Sequence, residues 1–239
     1  MTNVKSEPIE AVLFDWGGTL ATWHDIDLYS VWRSVAELID DARAEDLAAR
    51  LVRAEESVWL RSRDEHVSST LEEVCLLAEV ELTPAALTEY ERQWHPHTEL
   101  EPDAVDTLKS LRDRGLKIGV LSNTIWSRQR HEDIFARDGV LDLIDGAVYT
   151  SEVPWTKPHP EAFLAAMRAV GLDNPARCLF VGDRLFDDVW GAQQVGMRAA
   201  HIPHSAIPVS QVGHTEGTPD ATIQRLSELP TLIDRWDNS

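Results

Sequence analysis

The feature that most constrains the fold is the stretch Phe14-Asp15-Trp16-Gly17-Gly18-Thr19-Leu20. It follows a short apolar run, Ile9 to Phe14, broken only by Glu10. A run this short, rich in β-formers and stopped by glycines, predicts a buried strand ending in a turn. The strand delivers one carboxylate, Asp15, to its carboxyl end, the edge at which open parallel α/β sheets bind ligands. Gly17 and Gly18 permit a sharp bend and a close approach of the backbone to a ligand. Thr19 offers a hydroxyl and an N–H to an anion. Alone, the stretch also fits an ordinary strand-to-loop exit, so the rest of the chain decides.

After Leu20 the pattern turns helical. Leu28, Val31, Trp32, Val35, Leu38 and Ile39 fall at helical spacing, and so do Leu47, Leu51, Ala54 and Val58. Ser69 and Glu72 suggest a capping box ahead of Leu71, Val74, Cys75 and Ala78. Thr83-Pro84 reads as an N-cap followed by Pro at the first helical position, opening Ala85 to Trp94. About four helices and no strand result, which predicts a small bundle inserted between two parts of an α/β domain. Arg61, Arg63 and His66 read as surface residues. The spacing of His95-Pro96-His97 lacks the partners of a zinc site. His24 lies just beyond the Asp15 loop and is the histidine best placed to serve it.

From Glu101 the chain alternates helix and strand, the signature of parallel crossover units. A helix on Ala104, Val105, Leu108 and Leu111 is stopped by Gly115. The strand Lys117 to Leu121 then ends at Ser122-Asn123-Thr124, residues that are also good turn and N-cap formers. Ile125 to Gly139 predicts a helix and Gly146 to Thr150 a short strand. Lys157, one of only four lysines, stands between Thr156 and Pro158, just before a helix opened by Pro160. The strand Arg177 to Val181 ends in Gly182-Asp183, with Asp187 and Asp188 at the start of the next helix. Carboxylates so spaced can serve one hard cation. Met197 to Ile202 reads as a strand, 203–219 as a loop, and Leu226 to Trp236 as a terminal helix.

Charge narrows the partners. Lys and Arg number 22 against 41 Asp and Glu, a net charge of −19, so neither nucleic acid nor an anionic lipid surface finds a basic footprint. A small anionic substrate is not excluded, because local donors and a metal set the field inside a pocket. Cys75 and Cys178 lie in apolar runs and read as reduced, buried thiols. The first eight residues lack a signal-peptide core, and no apolar run reaches membrane-spanning length, which makes the cytoplasm the expected compartment. A homo-oligomer is compatible with this composition.

Phe-Asp-x-x-Gly-Thr-Leu, Leu-Ser-Asn, Lys-Pro-x-Pro and Gly-Asp-x-x-x-x-Asp, in that order over nearly the whole chain, together resemble the haloacid dehalogenase-like superfamily. The resemblance implies a Rossmann-like parallel sheet core built from residues 1–21 and 100–239, with an inserted α-helical cap at 22–99. It implies a Mg²⁺-dependent phosphohydrolase that acts on a small phosphorylated metabolite. Asp15 would be the nucleophile, forming an aspartyl intermediate. Asp15, the main-chain carbonyl of Gly17 and Asp183 would hold Mg²⁺, with Asp188 (or Asp187) in or behind the metal shell. Lys157 would be the second cation. Ser122 would bind phosphoryl oxygens, with Gly18, Thr19 and Asn123 on the substrate side.

One position departs from that pattern. Most phosphatases of the family carry a second Asp two residues after the nucleophile, which protonates the leaving group. Here it is Gly17. General acid–base help contributes about 10²–10⁴-fold, so alkyl phosphates should be poor substrates unless another group, with His24 the candidate, substitutes. Good leaving groups need no such acid. A phosphonoacetaldehyde hydrolase would need a cap lysine, and no Lys occurs from Ala21 to Leu100. A haloacid dehalogenase usually has an aromatic at this position and uses no Mg²⁺, so the Asp183/Asp188 pair speaks against it. The alternative from a different class is a catalytically weak binding or regulatory protein on the same fold.

Overall fold

The computed structural model describes residues 7–23, 26–203 and 214–238. Strand β1 (Ala11–Phe14) is followed by helices α1 (Leu28–Asp40), α2 (Ala44–Glu65), α3 (Leu71–Ala78) and α4 (Pro84–Trp94). The chain then alternates: α5 (Ala104–Asp113), β2 (Lys117–Ser122), α6 (Arg128–Arg137), β3 (Gly146–Tyr149), α7 (Pro160–Ala169) and β4 (Cys178–Gly182). A wide helical turn over Leu185–Trp190 leads into α8 (Gly191–Gln194), then β5 (Arg198–His201), β6 (Ala221–Thr222) and α9 (Leu229–Asp237). All six strands pair in parallel in the order β3-β2-β1-β4-β5-β6. That order reverses direction beside β1, and such a switch point opens a crevice at the strands' carboxyl ends.

Strand β1 is buried on both faces, as parallel strands between helical layers are. Val12 and Phe14 pack into a core shared with α5, α6 and α9, whereas Ala11 and Leu13 face α7 and α8. The alternation of side chains along one strand thus separates two apolar layers. Gly115 and Gly196 end their helices in the left-handed region, at φ 79° and 88°.

The four helices α1 to α4 form an insertion whose ends leave and return side by side. Thr22 N–H donates to the Glu99 carbonyl at 2.9 Å, and Glu101 N–H to that of Leu20 at 2.8 Å. The helices pack on one another through rings such as Trp32 and Tyr90, stacked at 4.8 Å. Among the contacts that fasten them over the sheet's carboxyl edge are two hydrogen bonds. Trp126, after β2, donates to the Tyr90 hydroxyl at 3.0 Å, and Thr156, beside Lys157, donates its N–H to the His66 carbonyl at 3.0 Å. Among the described residues no helix is long and apolar enough to cross a membrane.

Some local expectations shift. Thr83 caps α4 with Pro84 at its first position, as read from the sequence. The cap of α3 is Thr70, one residue later than expected, because Ser69 accepts instead from Arg61 at 2.5 Å. Helix α6 starts at Arg128 rather than Ile125, since Ser127 caps it. Strand β6 was not expected: two residues are too few for any period to show.

Candidate active site

Four strand ends supply the site. Asp15 follows β1, with its N–H donating to Val181 at 2.9 Å, so its main chain continues the ladder toward β4. Asp183 follows β4, Ser122 closes β2, and Lys157 arrives on the loop after β3. Asp15, Asp183, Ser122 and Lys157 are all buried.

Lys157 is the centre of the arrangement. Its Nζ donates to Asp15 Oδ1 at 2.5 Å and to Asp188 Oδ1 at 2.6 Å, and it stands 5.5 Å from the centre of the Phe180 ring. Burial alone would lower its pKa, but the charges of Asp15 and Asp188 outweigh it and push the ammonium up. Burial raises the Asp15 carboxyl, with Lys157 pulling against it.

Asp188 owes its place to the backbone around it. In the wide turn the Arg184 carbonyl accepts from the N–H groups of both Asp188 and Val189, at 3.1 and 3.2 Å. Asp188 Oδ2 accepts from Arg184 N–H at 2.9 Å. A Cβ on Gly182 would stand 2.3 Å from the Asp188 carboxyl carbon, so glycine is the residue that leaves room there. Asp187 points elsewhere, to Arg184 at 3.4 Å, and burial raises its carboxyl. Between the two candidates, the structure brings Asp188 into the carboxylate group.

Ligand oxygens of Asp15, Asp183 and Asp188 lie within 4.8 Å of one another. Three carboxylates form a hard-oxygen donor set that suits Mg²⁺. The surrounding charge fits too. Among the described residues, the four carboxylates Asp15, Asp183, Asp187 and Asp188 stand with two cations, Lys157 and Arg184, which leaves a local excess of negative charge. A divalent cation would offset it.

Other expected residues fare differently. Ser122 and Gly17 line the cavity beside Asp15. Asn123 lines it too, but both ends of its amide hold Lys157: Oδ1 accepts from Lys157 N–H at 2.8 Å, and Nδ2 donates to its carbonyl at 3.1 Å. Its visible work is to position Lys157. Gly18 was expected on the substrate side and Thr19 to offer its hydroxyl and N–H to an anion, but both N–H groups are engaged within the turn. Gly18 N–H donates to Ala21 at 2.8 Å and Thr19 N–H to Trp16 at 3.3 Å, and Thr19 is fully buried. The turn consumes these two main-chain donors, with Gly18 at φ 89° making it possible. His24 lies outside the described residues. Arg61 and Arg63 pair with Glu73 and Asp64 and do not line the cavity.

Two residues were not singled out from the sequence. Arg184 lines the cavity as a second cation, its pKa raised by the surrounding aspartates against the lowering effect of burial. His201, at the end of β5, donates from Nε2 to the Asp183 carbonyl at 2.9 Å. Arg184 could have been suspected from its place directly after Gly182-Asp183. His201 carried no signal beyond its strand.

Above the aspartates is a cavity of about 250 Å³, walled mainly by the inserted helices and by the loops after β1 and β2. The Trp23 ring lies against Gly17, where a Cβ would stand 3.3 Å from it. Glu55 is the buried acid of the cavity wall, accepting from Trp32 at 2.7 Å and from Trp59 at 3.3 Å. Burial dominates these bonds and pushes its carboxyl up to about 7.

A family model described as haloacid dehalogenase-like hydrolase matches residues 9–196. The glyceraldehyde 3-phosphate phosphatase of Methanopyrus kandleri is 27% identical over 229 residues, covering 94% of this chain and 97% of its own. The structure is similar to that of a HAD phosphatase from Thermococcus onnurineus, with a TM-score of 0.65, 26% identity and coverage of 94% and 98%. In fold alone it is also similar to L-2-haloacid dehalogenase from Xanthobacter autotrophicus, with a TM-score of 0.63, 23% identity and coverage of 95% and 98%.

Two outcomes follow from this geometry. Gly182→Ala should displace the Asp188 carboxylate and lower stability by about 1–3 kcal/mol, the usual cost of overpacking; urea unfolding at neutral pH would measure it. Glu55 has a folded pKa above its unfolded one, so its protonated form favours folding. That contribution is complete below about pH 4.5 and is lost as pH rises to about 7. The loss amounts to about 3 kcal/mol. Urea unfolding of Glu55→Gln at pH 5 and pH 8 should lack this part of the wild-type difference.

Proposed function

The chain belongs to the haloacid dehalogenase-like hydrolase family, and from that premise we propose a Mg²⁺-dependent phosphohydrolase that acts through Asp15. The observation that carries the reading is the buried Lys157 ammonium bridging Asp15 and Asp188. The relatives named as phosphatases support it. On this reading the helical insertion at 22–99 is a cap that closes the site, and the compartment is the cytoplasm.

An Asp15 oxygen attacks phosphorus, and the bond to the leaving group breaks as the aspartyl phosphate forms. Water then attacks the phosphorus and releases inorganic phosphate. Two anions must meet in the first step. Lys157 fixes Asp15 through Oδ1 and supplies positive charge in a water-poor site, where it needs no reorganisation. Arg184 adds a second cation at the cavity wall. Ser122 offers a hydroxyl to a phosphoryl oxygen. Asp15, Asp183 and Asp188, with the Gly17 carbonyl, would hold Mg²⁺, which supplies further charge neutralisation. Asn123 and His201 position Lys157 and Asp183 through their main chains.

Gly17 supplies no acid, and the adjoining space holds the Trp23 ring. The leaving group therefore departs without a proton from that position. Rates should fall steeply from acetyl phosphate to p-nitrophenyl phosphate to a simple alkyl phosphate, each with Mg²⁺ present. Asp15→Asn should abolish all three reactions while keeping the folded CD spectrum. Equal rates across the series would mean that another group donates the proton. Turnover by Asp15→Asn would remove Asp15 as nucleophile.

A further inference from the structure

The wall of the cavity above Asp15 is unlike one built for a small polyol phosphate. Trp16, Trp23, Trp59, Tyr90, Trp94 and Trp126 all contribute to it. They come from four places: the loop after β1, helix α2, helix α4 and the loop after β2. Several are fixed by mutual contact. Trp16 meets Trp126 edge-on at 5.7 Å, and Trp126 meets Trp94 at 5.2 Å. The Tyr90 hydroxyl accepts from the Trp126 indole. Apart from Glu55 and Glu56, which also line it, such a wall offers few partners to the hydroxyls of a polyol, which would lose water on entry. It favours flat apolar rings, which it can contact edge-on or by stacking.

Size agrees. An apolar cavity of about 150 Å³ takes up one benzene ring. The cavity here is about 250 Å³ and includes the floor at Asp15, Ser122 and Lys157. One ring with a phosphoryl group on that floor accounts for the space.

The missing acid points the same way. A phenol ionises near 10, whereas water, whose acidity an alkyl alcohol resembles, ionises near 15.7. An aryloxide therefore leaves unprotonated far more readily than an alkoxide. A site with Gly17 in place of the acid loses least on aryl esters.

We propose that the substrate is a phosphate monoester of an aromatic or heteroaromatic alcohol, its ring held among the tryptophans and its phosphoryl group at Asp15. The proposal rests on the phosphohydrolase reading and names its substrate class. Asp15 bonds to phosphorus, the P–O bond to the ring oxygen breaks, and the electron pair leaves on the aryloxide, which later takes a proton from water. Water then displaces phosphate from Asp15.

Leaving-group reactivity and ring recognition must be separated, so the test uses phosphonates, which keep the anion but cannot be hydrolysed. Benzylphosphonate and methylphosphonate would compete with acetyl phosphate turnover on the full chain with Mg²⁺. Benzylphosphonate should inhibit about tenfold or more tightly, in line with burial of one ring. Trp59→Ala, which opens the wall, and Leu28→Trp, which fills the cavity, should each erase most of that preference and leave methylphosphonate unchanged. Equal inhibition by the two phosphonates would overturn the proposal, as would a preference that survives both variants. Calorimetric binding of the same pair to Asp15→Asn reads ring recognition without chemistry. Turnover of acetyl phosphate without ring preference sinks the substrate class alone. Ring preference without turnover supports the ligand class and sinks the phosphohydrolase reading.

Discussion

The site depends on one buried ammonium. Asp15 and Asp188 are carboxylates brought into the same apolar surroundings, and two such charges repel strongly where water is scarce. Lys157 lies between them and makes the arrangement tenable. Its own burial is tolerable only because both partners are present, since an unpaired buried charge costs several kcal/mol. Much of the local structure serves this contact. Asn123 fixes the lysine's main chain, Gly182 leaves room for Asp188, and the wide turn after Arg184 aims that carboxylate inward. The residual negative charge is what a divalent cation would balance.

The parallel sheet places these groups by topology rather than by local sequence. Lys157 and Asp15 are 142 residues apart in the chain yet make one hydrogen bond. The strands on either side of β1 deliver Ser122 and Asp183 to the same edge, at the point where strand order reverses. The helical insertion leaves and re-enters through paired main chains next to the Asp15 turn. Its aromatic wall therefore stands directly above the nucleophile, and cavity shape and leaving-group chemistry are set by neighbouring segments. Trp23, against Gly17, belongs to both.

Strands β1 to β5 and the principal carboxylates were readable because short apolar runs ending in Gly, Asp or Ser have few other uses. Asp15, Ser122, Lys157 and Asp183 each follow such a run or a Pro-flanked loop. What was not readable depends on three-dimensional neighbours. Thr19 looked like an anion donor, but the turn uses its N–H group, like that of Gly18, internally. Asn123 looked like a ligand-binding residue, whereas its amide holds Lys157. Asp187 and Asp188 could not be separated without the wide turn, which no propensity scale anticipates. The tryptophans are scattered along the sequence, and only the packing of α2 and α4 against two loops shows that they share one wall.

The central claim is that Asp15, held by Lys157, takes the phosphoryl group. Acid-quenched single turnover of acetyl phosphate with Mg²⁺, followed by mass spectrometry of the peptide containing Asp15, tests it most directly. The account predicts a transient gain of one phosphoryl group on Asp15, absent in Asp15→Asn. Product phosphate formed with no covalent species at any quench time, or a phosphoryl group found on another residue, would contradict it.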